Sequence, residues 1–146
     1  MSYKYHNPAT VLSPKNSIEK VEVIFDGGIG KNAFSIAKVI WNGKIRIAIR
    51  WNITEKEWNE PLKINGSVKC VGEPNSRGYP TWFILPDCLL TSLLQENDNK
   101  SENGKIIREG VQKAIEELKR VRPIESGSPN KELNGIISTR NENKNL

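Results

Sequence analysis

Long apolar runs, cysteine pairs and histidine are scarce in this chain, and each scarcity removes a class of protein. No apolar stretch approaches the ~20 residues that cross a bilayer, which excludes a spanning helix. The opening Met1-Ser2-Tyr3-Lys4-Tyr5-His6 lacks the apolar stretch of a secretory leader, so a cytoplasmic protein is expected. Only Cys70 and Cys88 are present, 18 residues apart. With one histidine, His6, they make neither a disulfide framework nor a zinc site. That same scarcity argues against catalysis. His6 has no acid or nucleophile beside it, and neither cysteine has another histidine to activate it. No enzyme, metal or cofactor is expected.

Apolar residues make up 36% of the 146, a low share whose polar excess falls mainly in the last third, so the folded part is expected to end well before Leu146. The chain has room for one compact domain with a helix or tail. Net charge is +5, which suits a polyanionic partner without requiring one. The distribution says more. Residues 32 to 52 hold Lys38, Lys44, Arg46 and Arg50 and no acid, whereas residues 71 to 99 hold Glu73, Asp87, Glu96 and Asp98 against Arg77.

The pattern along the chain predicts an α+β protein, an antiparallel sheet followed by an amphipathic helix. Residues 1 to 16, polar with Pro8 and Pro14, read as a flexible arm. A β-rich core with a short helix follows from 17 to 95. Val21, Val23 and Phe25 alternate in a first strand, which breaks at Asp26-Gly27-Gly28-Ile29-Gly30. Two β-branched and aromatic runs then flank Asn42-Gly43, a strong hairpin signal. Residues 53 to 65 carry charge and Pro61 and read as a long connection or broken edge element. Residues 66 to 71 suit a strand, 73 to 80 a loop, and 81 to 85 a buried β-prone run. From Cys88 to Gln95 the leucines 89, 90, 93 and 94 fall on one helical stripe.

Residues 96 to 104 have no apolar side chain and read as a linker. In the amphipathic helix of residues 105 to 122, Ile107, Val111, Ala114, Leu118 and Val121 recur in steps of four and three. The stripe needs a surface to cover it, either the sheet or a second copy of the helix, so a homodimer or a partner helix through residues 105 to 121 is expected. Residues 123 to 146 are polar and Asn-rich and read as a disordered tail.

Placing Asn42-Gly43 at the centre of a type I′ turn fixes the hairpin pairing. Trp41 faces Lys44, Val39 faces Arg46, Ala37 faces Ala48 and Ser35 faces Arg50, all on one side. The other side pairs Ile40 with Ile45, Lys38 with Ile47, Ile36 with Ile49 and Phe34 with Trp51. Apolar except for Lys38, that second side is expected to be the core. The first side is then the solvent face, where Trp41 offers a stacking surface for a base and Lys44, Arg46 and Arg50 offer cations for phosphates. An ordinary solvated sheet, with Trp41 resting on lysine and arginine stems, explains the same residues.

The segments Phe34-Ser-Ile-Ala-Lys38, Val39-Ile-Trp-Asn-Gly43 and Ile47-Ala-Ile-Arg-Trp51, within residues 21 to 94, resemble the whirly and positive-cofactor-four group of single-stranded nucleic-acid binders. That resemblance implies ββββα units paired through their helices, single-stranded DNA or RNA as partner, and a role in transcription or nucleic-acid maintenance. The inserts at residues 53 to 65 and 72 to 80 depart from the pattern. Within 75 to 83, Arg77 and Tyr79 are candidates for a clamp on the same ligand, or else Tyr79 covers the core edge. The nucleic-acid site expected is therefore Trp41, Lys44, Arg46, Arg50, Arg77 and Tyr79. The alternative is a protein-interaction or regulatory module whose basic face docks an acidic partner.

Two further motifs are bland on inspection. Asp26 to Lys31 fails as a phosphate loop, because Phe25 occupies the first glycine position and Asn32 replaces the hydroxyl residue. Glu55, Glu57 and Glu60 beside Lys56 and Trp58 read as a solvated charged face with no metal-ligand spacing.

Overall fold

The computed structural model describes residues 1–90 and 101–121, the side chain of Val121 excepted. It is an α+β protein built on a four-stranded antiparallel sheet followed by a helix. Strands β1 (Ile18–Asp26), β2 (Phe34–Trp41), β3 (Lys44–Trp51) and β6 (Phe83–Ile84) lie in that order. Between β3 and β6 come two short helices, α1 (Glu55–Trp58) and α2 (Pro61–Ile64), and a two-stranded finger of β4 (Asn75–Ser76) and β5 (Tyr79–Pro80). Helix α3 (Glu102–Val121) ends the described chain. No helix among the described residues is long and apolar enough to cross a membrane.

The hairpin pairing is the one the turn chemistry dictates, from Phe34 opposite Trp51 to Trp41 opposite Lys44. Asn42 (φ 49°) and Gly43 (φ 79°) both occupy the left-handed region that a type I′ turn requires. Lys38, the misfit of the apolar face, is largely covered and meets Glu22 across the β1–β2 pair at 2.9 Å. The register stands. A side chain with a long stem and a cross-strand acid is tolerated on a mostly apolar face.

The assignment of faces is reversed where it matters. Ser35, Ala37, Val39, Ala48 and Arg50 are buried, and the side expected to meet solvent forms a core with Val11, Ile18 and Trp82. Small side chains at 35, 37 and 48 leave room for another layer to approach closely. That layer is the N-terminal segment together with Trp82, whose indole N–H donates to the Val11 carbonyl at 2.8 Å. Residues 2 to 11 are therefore tied to the fold by packing and hydrogen bonds and do not form a free arm. Tyr3 stacks on Trp58 at 4.2 Å, Cys70 donates its N–H to the Lys4 carbonyl, and the Tyr5 hydroxyl donates to Asp26.

Two compact units divide the chain, Met1–Ala114 and Ile115–Leu146, so that α3 begins in the first and ends in the second. Within the first, Gly110 lies so close to β1 that a Cβ there would overlap the Ile24 side chain. Val111 and Ala114 are buried in the single chain, so this part of the helical stripe is covered without a second copy. The helix begins at Glu102, three residues earlier than the sequence pattern suggests, which takes residues 102 to 104 out of the expected linker. Of the second unit only residues 115 to 121 are described, all helical, with Leu118 buried. The helical turn at 87 to 90 is present with Leu90 buried and Leu89 exposed, while Leu93, Leu94, the rest of the linker and the tail of residues 123 to 146 lie outside the described residues.

Candidate functional site

Arg50 departs most from the solvent-facing position expected of it. Its side chain is 2% exposed, and its guanidinium donates to the carbonyls of Val71, Pro74 and Thr81. Burial lowers its pKa to about 10, and the nearby Glu57 carboxylate opposes the shift. The Nε–H has no hydrogen-bond partner among the described residues. Such a group is committed to the backbone of residues 71 to 81 and cannot meet a phosphate. Arg46 is half-buried and bonded to Asp87 at 2.8 Å. Trp41 packs against the core cluster. Lys44 alone of the hairpin set is exposed.

Arg77 and Tyr79 stand apart from these four, on the finger. Arg77 (φ 52°) and Gly78 (φ 82°) repeat the turn geometry of the main hairpin, with Ser76 opposite Tyr79. Both side chains project to solvent, and Tyr79, 69% exposed, covers no core edge. The six residues expected to form one site are thus spread over a core, an ion pair, a turn and a finger.

A buried charge network holds that finger in place, and the sequence did not reveal it. Thr54 caps α1 by accepting from the Glu57 N–H, and the Glu57 carboxylate returns to Thr54. The same carboxylate accepts from the Lys63 ammonium at 3.0 Å and from the N–H groups of Val71 at 2.7 Å and Gly72 at 2.9 Å. Burial pushes the Glu57 carboxyl upward, but the Val71 N–H, the Lys63 ammonium and the N–H groups of Thr54 and Gly72 outweigh it and hold the pKa below the usual carboxylate range. Arg50 grips the carbonyls of the loop that carries the finger while Glu57 grips its N–H groups. Glu57 is a structural hub, not part of a solvated face.

The opposite side of the sheet carries the concave surface. Expected to be sealed core, it is closed only in part: Ile45 and Ile47 are buried, but toward the other end of the hairpin the face opens into a groove of about 820 Å³. Phe34, Ile36, Ile49, Trp51, Phe83, Leu85 and Ile107 line it, with Glu73, Pro74 and Asn75 at the base of the finger. Trp51 is 46% exposed and Phe83 56%. Phe34 meets Trp51 edge to face at 6.1 Å and Phe25 at a tilt at 5.4 Å, so the three rings hold one another in place. Trp51 and Glu73 exchange backbone hydrogen bonds at 2.7 and 3.2 Å, which fixes the finger's base against the end of β3.

What the groove can do chemically follows from its lining. Its lining is mostly apolar, and it offers one exposed carboxylate, Glu73, and one amide, Asn75. No group of three or more metal-ligating side chains occurs among the described residues. A partly buried polar cluster at the C-terminal end of β1, in which Asp26 accepts from Asn52, Gly28, Ser35 and Tyr5, joins that end to the start of β2 and to the residue after β3. Searches with the chain match no family model, no curated protein and no solved structure.

Proposed function

We propose that the protein is a non-catalytic binding module whose groove accepts apolar side chains of a partner protein. The observation that carries this reading is the pair of half-exposed aromatics, Trp51 and Phe83, flanking an open 820 Å³ concavity. A volume of this size lies within the ~300–1,000 Å³ of ligand pockets. Contiguous exposed apolar surface of this kind marks interaction sites on monomeric proteins. The buried Arg50 and the paired Arg46 weaken the acidic-partner version of a protein-binding role, since the face it relied on is largely occupied from within.

Nile red, an uncharged apolar dye, tests the groove before any partner is known. Dye emission rises and shifts to the blue on binding wild type, and Phe83→Arg, at an exposed position, abolishes the change without loss of fold. An unchanged signal in Phe83→Arg would remove the groove as the binding surface.

A second reading, binding of single-stranded DNA or RNA, keeps support from the exposed Arg77 and Tyr79, from Lys44 and from the net charge of +5. Here Tyr79 and Trp51 stack bases while Arg77 and Lys44 meet phosphates. Anisotropy with labelled oligonucleotides at about 50 and 200 mM salt tests it, since neutralised phosphates make affinity fall steeply with salt. Binding that survives Arg77→Glu and is indifferent to salt would contradict it.

A further inference from the structure

The groove reading leaves the ligand's chemistry open, and Glu73 narrows it. Of the two charged residues on the lining, Arg50 is enclosed and spent on three backbone carbonyls, whereas Glu73 is exposed. Glu73 forms no ion pair among the described residues. Its backbone is held to Trp51 through both N–H and C=O, so the carboxylate extends from a fixed point beside an exposed indole. A carboxylate next to an aromatic face attracts a cation from two directions, by charge and through the ring quadrupole. A phosphate in that place meets repulsion.

Resting on the groove reading, we propose that the occupant is a linear peptide segment in which an aromatic or branched aliphatic side chain is flanked by arginine or lysine. The apolar anchor enters between Trp51 and Phe83, and the flanking cation meets Glu73. Glu73 is then the residue that determines specificity, and Trp51 and Phe83 supply most of the affinity. An apolar anchor in a desolvated pocket with a charged rim is the usual division of labour at interfaces.

Synthetic peptides with a central Phe, Trp or Leu, flanked by Arg, Gln or Glu, test the proposal by calorimetry with the full chain. Arginine-flanked peptides are expected to bind about two- to fivefold tighter than glutamine-flanked ones, the size of an exposed ion pair, with the gap closing at high salt. Glu73→Gln removes the preference and Glu73→Lys turns it toward glutamate flanks, while Trp51→Ala weakens every peptide about tenfold or more. Peptides that bind irrespective of flank but remain sensitive to Trp51→Ala would overturn the role of Glu73 and leave the groove standing. Should no peptide bind, with or without oligonucleotide binding in its place, the groove reading and the role of Glu73 fail together.

Discussion

At Arg50 and Glu57 the chain places two opposite charges where neither meets bulk water, and both are spent on the backbone of one loop. Arg50→Met leaves the carbonyls of Val71 and Thr81 without their donor, while the Pro74 carbonyl keeps the Thr81 N–H. Each buried group left unpaired costs roughly 1–3 kcal/mol, part of which is offset by no longer burying a cation, so a loss of about 2–4 kcal/mol is expected from the urea midpoint. Arg50→Lys rescues little, because one ammonium cannot span three acceptors that a planar fork reaches. Glu57 adds a pH dependence. Its pKa is held down in the folded state, so its contribution is fully present above the ordinary carboxylate value of ~4.3 and is lost as pH falls through the lower folded value. Wild type and Glu57→Gln are expected to differ in urea midpoint at neutral pH and to converge in acid. A constant difference down to acid pH would exclude the carboxylate as the cause. Nothing in the residue string separates a buried Glu57 from its solvated neighbours Glu55 and Glu60, because its partners Val71 and Gly72 lie 14 and 15 residues away.

The elements were legible where local chemistry decides them. Asn42-Gly43 dictated the turn, and the turn dictated eight cross-strand pairs. Arg77-Gly78 forms the same kind of turn, but it hid in a segment whose flanking runs are too short to read as strands. Faces were harder, since both sides of β2 and β3 carry apolar residues, and a layer contributed from residues 3 to 18 and from Trp82 selects among them only by tertiary contact. The small side chains Ser35, Ala37 and Ala48 were the available signal of close packing. Gly110 gives a test of how closely α3 lies on β1. Alanine is the better helix former by about 1 kcal/mol, yet a Cβ at 110 would overlap the Ile24 side chain near its backbone. Overpacking of this kind costs about 1–3 kcal/mol, so Gly110→Ala is expected to lower thermal stability in spite of its propensity gain. Gly72→Ala is expected to be worse, with φ at 72° and the Trp51 carbonyl oxygen in the way, costing more than about 3 kcal/mol.

On the scale of the whole molecule, one sheet divides two environments. One face is filled by the N-terminal segment and Trp82. The other is partly covered by the first turns of α3 and partly left open as a groove of aromatic and aliphatic side chains with an acid at its rim. Charge distribution pointed to the hairpin's cations, but folding consumes Arg50 in the loop clamp and Arg46 in an ion pair, and leaves exposed Trp51, which the hairpin register assigned to the core, and Phe83, which the run 81 to 85 did. Trp51 and Phe83 were therefore visible as apolar residues and invisible as a surface, because exposure here depends on where a helix and a finger happen to stop. The decisive measurement is the affinity of an arginine-flanked, phenylalanine-anchored peptide for wild type, Phe83→Ala and Lys44→Glu under one condition. Binding weakened about tenfold by Phe83→Ala and unaltered by Lys44→Glu is the predicted result. No binding of that peptide, together with oligonucleotide binding that Lys44→Glu abolishes and Phe83→Ala leaves intact, would contradict it.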